Sequence, residues 1–167
     1  TELIPLPRNW QRGVGFVGVQ RALDLVFARH DVLRTVYGYD AKNPSFTVAR
    51  VSPLHLHGRY AAPPLVVVDG SAMSRDVLLS NVGAAVGEAL GSSPFDLELG
   101  PLARLAVLAS STAAPGGVPV LVLSLHHNVF DAQSTALFEA DLRRALALVS
   151  RGASRAMMLP DLPVQYG

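Results

Sequence analysis

The run Val118-Pro119-Val120-Leu121-Val122-Leu123-Ser124-Leu125 has the apolar, branched composition of a buried strand, and a helical run follows it closely. From Asp131 to Val149 the apolar residues Leu137, Phe138, Leu142, Ala145, Leu146 and Val149 recur at helical spacing. A strand that apolar on both faces needs cover, and an amphipathic helix directly after it supplies one side. This transition constrains the fold to a sheet carrying packed helices.

The remaining elements fit that frame. Thr1 to Arg12 reads as irregular, with Pro5 and Pro7 as breakers, and Val14-Gly15-Phe16-Val17 as a short, Gly-weakened strand. Ala22, Leu23, Val26 and Phe27 predict a helix over Val19 to His30. Arg34 to Tyr39 and Ser45 to Val51 form a hairpin around Asp40-Ala41-Lys42-Asn43-Pro44. Leu65 to Val68 is a further strand, followed by a helix over Ala72 to Leu90 that Gly91 stops. Leu102 to Ala109 is a strand, Ser110 to Gly117 a loop, and the end of the chain is proline-punctuated. Interleaved strands and helices predict an α/β chain: a two-layer α+β sandwich, helices on one face of a sheet.

Half of the residues are hydrophobic, enough for one sizeable core. Fourteen basic residues face thirteen acidic ones without forming a block, which gives no electrostatic case for nucleic acid or an anionic membrane. There is no cysteine, hence no disulfide, thiol nucleophile or thiolate metal site. Thr1 to Arg12 lacks the apolar core of a signal peptide, and no stretch is long enough to span a bilayer. A soluble, cytoplasmic protein is the expectation.

Between strand and helix lies Leu125-His126-His127-Asn128-Val129-Phe130-Asp131-Ala132. A neutral imidazole at a strand exit can accept a proton from an attacking amine or hydroxyl, and His127 is the candidate for that role. Side-chain alternation turns His126 to the opposite face. Asp131 is an N-cap candidate answered by Ser134, or a brace that pairs with an arginine. As a general base it is too acidic at neutral pH. No Gly-x-Ser-x-Gly elbow accompanies Ser124 or Ser134, no Gly-rich phosphate loop occurs, and His55 and His57 are a separate pair that does not by itself make a zinc site.

Four segments, in order, resemble the condensation domains of nonribosomal peptide synthetases. They are Arg29-His30-Asp31-Val32-Leu33-Arg34-Thr35; Pro94-Phe95-Asp96-Leu97 with Gly100-Pro101-Leu102; His126-His127-Asn128-Val129-Phe130-Asp131-Ala132; and Leu159-Pro160-Asp161-Leu162-Pro163-Val164-Gln165-Tyr166. The third is similar to the family's His-His-x-x-x-Asp-Gly signature. The fourth looks like the linker after the first half of such domains.

The resemblance implies a chloramphenicol-acetyltransferase-like half-domain with a mixed, mostly antiparallel sheet. Residues 1–167 would be the N-terminal lobe, ending in the linker to a C-terminal lobe. It implies acyl or peptidyl transfer from a carrier-protein thioester to the amine of an acceptor aminoacyl carrier protein. His127 would be catalytic, His126 its structural neighbour and Asp131 the brace, with Arg29 or Arg34 as Asp131's partner. Ala132 stands where the family has Gly: a positive φ there would strain alanine, whereas a first helical turn would not. No cofactor is held tightly and no metal is implied; the phosphopantetheine arm of the carrier proteins brings the substrate. The partners are donor and acceptor carrier proteins and the C-terminal lobe or a second copy, and the lone lobe is expected to be inactive. Two other readings share the motif, a coenzyme A-dependent O- or N-acyltransferase and a non-catalytic docking module.

Overall fold

The computed structural model describes residues 1–7, 14–43, 47–51, 61–69, 87, 90–91, 93–109, 119–152, 159–160 and 162–163. In chain order the elements are β1 (Glu2–Pro5), α1 (Gly15–Arg29), a 3-10 turn (Asp31–Arg34), β2 (Thr35–Tyr39), β3 (Thr47–Val51), β4 (Leu65–Asp69), β5 (Ala103–Ala109), β6 (Val120–Leu125) and α2 (Ser134–Ser150). The main sheet has the order β1-β6-β5-β4, and β2 and β3 form a separate two-stranded ribbon. β6 runs antiparallel to both β1 and β5, and β4 pairs parallel to β5.

Alternation along the two central strands divides their side chains between two clusters. Leu105 and Val107 of β5 and Leu121 and Leu123 of β6 join the core under α1 and α2. Ala106, Leu108 and Val122 face the other way and pack with Val66, Val68, Leu90 and Val120. α1 contributes Val19, Ala22, Leu23, Val26 and Phe27 to the larger cluster, and α2 contributes Phe138, Leu142, Ala145 and Leu146. Each fully buried large side chain here is worth about 1.5–3 kcal/mol of transfer free energy. Gly18 lets the two helices approach: a Cβ there would collide with Val14 and lie 3.2 Å from Val149 Cγ1.

Two sequence expectations are corrected. Glu2–Pro5 is a strand, not an irregular segment, because β1 lies at the sheet edge, where a proline's missing N–H is tolerated. Val14-Gly15-Phe16-Val17 opens α1 instead of forming a strand; Phe16 and Val17 remain exposed while the turns after them bury their apolar stripe. The hairpin, the strands at 65, 102 and 118 and the first and last helices appear at closely shifted bounds. Most of the helix expected over 72–90 and the loop 110–117 lie outside the described residues, although 87 and 90 are helical and Gly91 has φ 80°. Among the described residues no helix is long and apolar enough to cross a membrane.

Candidate active site

β6 ends at Leu125, and the chain then turns over His126–Val129 with both ends of the turn tied down. His126 N–H donates to Leu102 O at 3.0 Å, and Val129 N–H donates to His126 O at 3.0 Å. Asn128 N–H donates to His126 Nδ1 at 3.2 Å, so that nitrogen is the unprotonated one and the neutral ring carries its proton on Nε2. The phenol of Tyr37 donates to Asn128 O at 2.8 Å. Val129 is buried, His126 half-buried and His127 exposed. The two histidines therefore occupy different surroundings, as alternation predicts.

His126 is held from below by the segment before β5. Its ring meets Phe95 edge-on, centroids 6.0 Å apart. The Arg104 guanidinium carbon lies 4.3 Å from the Phe95 ring centroid, and the same guanidinium donates to the carbonyls of Gly91, Ser93 and Pro94 at 2.7, 2.6 and 3.3 Å. Asp96 closes the next turn, its carboxylate accepting the N–H of Glu98 and of Leu99 at 2.9 Å each. Tyr37 N–H reaches Leu97 O at 2.7 Å. Gly100 has φ 64°, and a Cβ on it would lie 2.8 Å from Val36 Cγ1, so the approach of this segment to β2 needs glycine.

At the head of α2 the Asp131 carboxylate accepts two hydrogen bonds from Ser134, from the amide at 2.9 Å and the hydroxyl at 2.6 Å. The Ser134 hydroxyl first, and then its amide, hold the Asp131 carboxyl below its ordinary value. The Asp131–Ser134 partnership the spacing predicts is present, but it closes the turn before α2, whose own N-cap residue is Gln133. Ala132 carries no strain, because every non-glycine residue among those described has negative φ. It stands in the turn leading into α2, where alanine is harmless.

The arginines are engaged elsewhere. Arg34 pairs with Asp31 one turn away and donates to Phe27 O at 3.0 Å. Arg29 Nε lies 3.0 Å from Asp141 Oδ2, and its guanidinium also donates to Pro160 O. Among the described residues Asp131 is in no ion pair, so the arginine brace expected there is corrected to a serine brace. Each arginine has a carboxylate nearer its own stem.

Asp141, which sequence reasoning passed over, is the buried charge of this half of the molecule. Its side chain is fully buried and receives Arg29, His30 Nε2 at 2.8 Å and Arg144 Nη1 at 3.2 Å. The signal in the sequence was an acid within the apolar stripe Phe138, Leu142, Ala145. Tyr37 and Arg104 were also missed, and neither carries a local pattern. His55 and His57 lie outside the described residues. Among those described, no group of three or more His, Cys, Asp or Glu residues could hold a metal ion.

Comparison with known proteins places this geometry. No family model matches the chain. Phosphinothricin tripeptide synthetase PhsC of Streptomyces viridochromogenes is 32% identical over 155 residues, 93% of this chain. Chondramide synthase cmdD of Chondromyces crocatus is 31% identical over 148 residues, 89% of this chain. The X-domain from teicoplanin biosynthesis superposes with a TM-score of 0.62 over 88% of this chain, at 26% identity. The first condensation domain of the calcium-dependent antibiotic synthetase superposes with a TM-score of 0.64 over 84%, at 21% identity, a likeness of fold.

The chain is similar in sequence to peptide synthetases and in structure to condensation domains. It has their fold, in which the four-stranded sheet and two described helices form one portion. The chain spans 13% of PhsC and 3% of cmdD, and 27% and 30% of the two solved chains.

Proposed function

We propose that this condensation-domain relative is the N-terminal lobe, residues 1–167, of an acyl-transferring domain. Its His127 serves amide-bond formation between two carrier-protein-bound substrates. The donor acyl or peptidyl group arrives as a thioester on a phosphopantetheine arm, and the acceptor is the amine of an aminoacyl group on a second arm. The nitrogen adds to the thioester carbonyl, His127 takes its proton, the C–S bond breaks, and the proton passes to the departing thiolate. A thioester is already activated, so alignment and exclusion of water supply much of the rate.

The observation that carries this reading is His127 itself. Its ring is exposed at the exit of a buried strand, while the peptide groups on either side of it are hydrogen-bonded. The similarity in sequence to peptide synthetases supports the reaction class. His126, Asp131, Ala132, Arg29 and Arg34 act as supports and not as reactants. His126 seats the turn on Phe95, Asp131 fixes the head of α2, and Arg29 and Arg34 secure the end of α1. No tightly held cofactor enters the scheme.

The test is transfer between a loaded donor and an aminoacyl acceptor carrier protein by the complete two-lobe domain. His127→Ala should lower the rate by about 10²–10⁴ while the fold is retained. Undiminished product formation would refute the catalytic reading and favour a docking role. The lone chain, lacking a second wall for the cleft, should give no turnover.

A further inference from the structure

We propose that Tyr37 is a positioning residue for His127, acting through the peptide group of Asn128. The inference rests on the catalytic reading of His127. The turn that carries His127 is fixed by four hydrogen bonds, and three of them come from backbone and side-chain groups of its own hairpin region: His126 N–H to Leu102 O, Val129 N–H to His126 O and Asn128 N–H to His126 Nδ1. The fourth comes from a different part of the fold. Tyr37 belongs to β2, which lies in the ribbon outside the main sheet, and its phenol donates to Asn128 O at 2.8 Å.

The geometry makes this contact more than a surface hydrogen bond. His126 Nδ1 takes the N–H of Asn128 and Tyr37 takes its C=O, so both polar ends of the residue after His127 are clamped. These two groups belong to the successive peptide planes on either side of Asn128, so both φ and ψ of Asn128 are restrained and the turn that leaves His127 keeps one path beneath its imidazole. Tyr37 is in turn fixed at its own backbone, where its N–H donates to Leu97 O at 2.7 Å and β2 pairs with β3, Tyr37 opposite Ala49. The phenol thus ties the ribbon and the Phe95–Gly100 turn to the loop bearing the imidazole. Tyr37 touches no reacting atom in this scheme.

Tyr37→Phe removes only the hydroxyl, and the Asn128 carbonyl, at an exposed position, can then bind water. Stability should therefore hardly change, while the imidazole loses its fixed aim. In the complete domain the expected result is a fall in kcat of about tenfold with KM for the acceptor unchanged. In this chain the carbonyl ¹³C shift of Asn128 should move in Tyr37→Phe, with the rest of the spectrum retained. Site-specific 3-fluorotyrosine at position 37, a more acidic donor, should move that shift the opposite way, and this reads the bond even where the Phe variant folds poorly. An unmoved carbonyl shift in the fluorotyrosine chain overturns the proposal, as does wild-type kcat in a folded Tyr37→Phe domain. His127→Ala run in parallel separates the two ideas. Full activity there overturns the catalytic reading together with this proposal, whereas its loss beside wild-type kcat for Tyr37→Phe overturns this proposal alone.

Discussion

Two aspartates of the α2 region, Asp131 and Asp141, solve opposite problems with the same functional group. Asp131 is exposed and is met by an uncharged hydroxyl and an amide of Ser134. Asp141 is fully buried and is met by Arg29, His30 and Arg144. The exposed carboxylate keeps its hydration, so neutral donors suffice and it needs no countercharge. The buried one has lost its water, and only charged or strongly polar donors offset that cost. A carboxylate's neighbours thus report its burial more than its importance. The residue that a short motif picks out is the one with the weaker hold on the fold.

The contrast can be broken most severely at Asp141. Asp141→Ala strands Arg29 and His30 between the helices and should destabilise the chain by about 3–5 kcal/mol, read as a shift of the urea midpoint. A loss near 1 kcal/mol would show that the cluster is hydrated and that the contrast is false. A smaller effect is expected at the other carboxylate. Because hydrogen bonds lower the folded pKa of Asp131 below 3.8, its ionised form favours the folded chain at pH above that value, and the contribution fades as pH falls through the folded pKa. Asp131→Ala should cost a few degrees of Tm near neutrality, and the gap to the parent should close on acidification below about pH 4. A gap that persists unchanged at pH 3 would assign the effect to something other than the ionised cap. The smallest effect sharpens the comparison from within the cluster. Arg144 is 65% exposed, so Arg144→Ala should change stability by less than about 1 kcal/mol, and 0.5 M salt should erase most of that difference.

The same contrast explains what was legible beforehand. The Asp131–Ser134 pair was readable because both partners sit within one turn and the spacing itself encodes the hydrogen bond, although it lies in the turn before α2 and not at its N-cap, Gln133. The helices over 15–29 and 134–150 and the central strands were readable because their apolar periodicity repeats over many residues. His30 and Asp141 meet across 111 residues, and no local pattern announces such a pairing. An acid in an apolar stripe says that a partner exists without naming it. β1 escaped notice because two prolines argue against a strand, and only its place at the sheet edge makes Pro5 acceptable. The start of α1 was mistaken for a strand because Val14 to Val17 has strand composition, whereas packing decides it: Gly18 and the turns after it bury themselves against α2. The histidine turn was visible as a motif, but its clamp was not, because Tyr37 lies 91 positions away from Asn128.

Among the described residues Arg29 engages Asp141 on one side and the carbonyl of Pro160 on the other. Any tug on residues 159–160 therefore enters the molecule both at the buried Leu159 and at a guanidinium that joins the end of α1 to α2. The fold thus passes such a load straight into the packing of its two described helices.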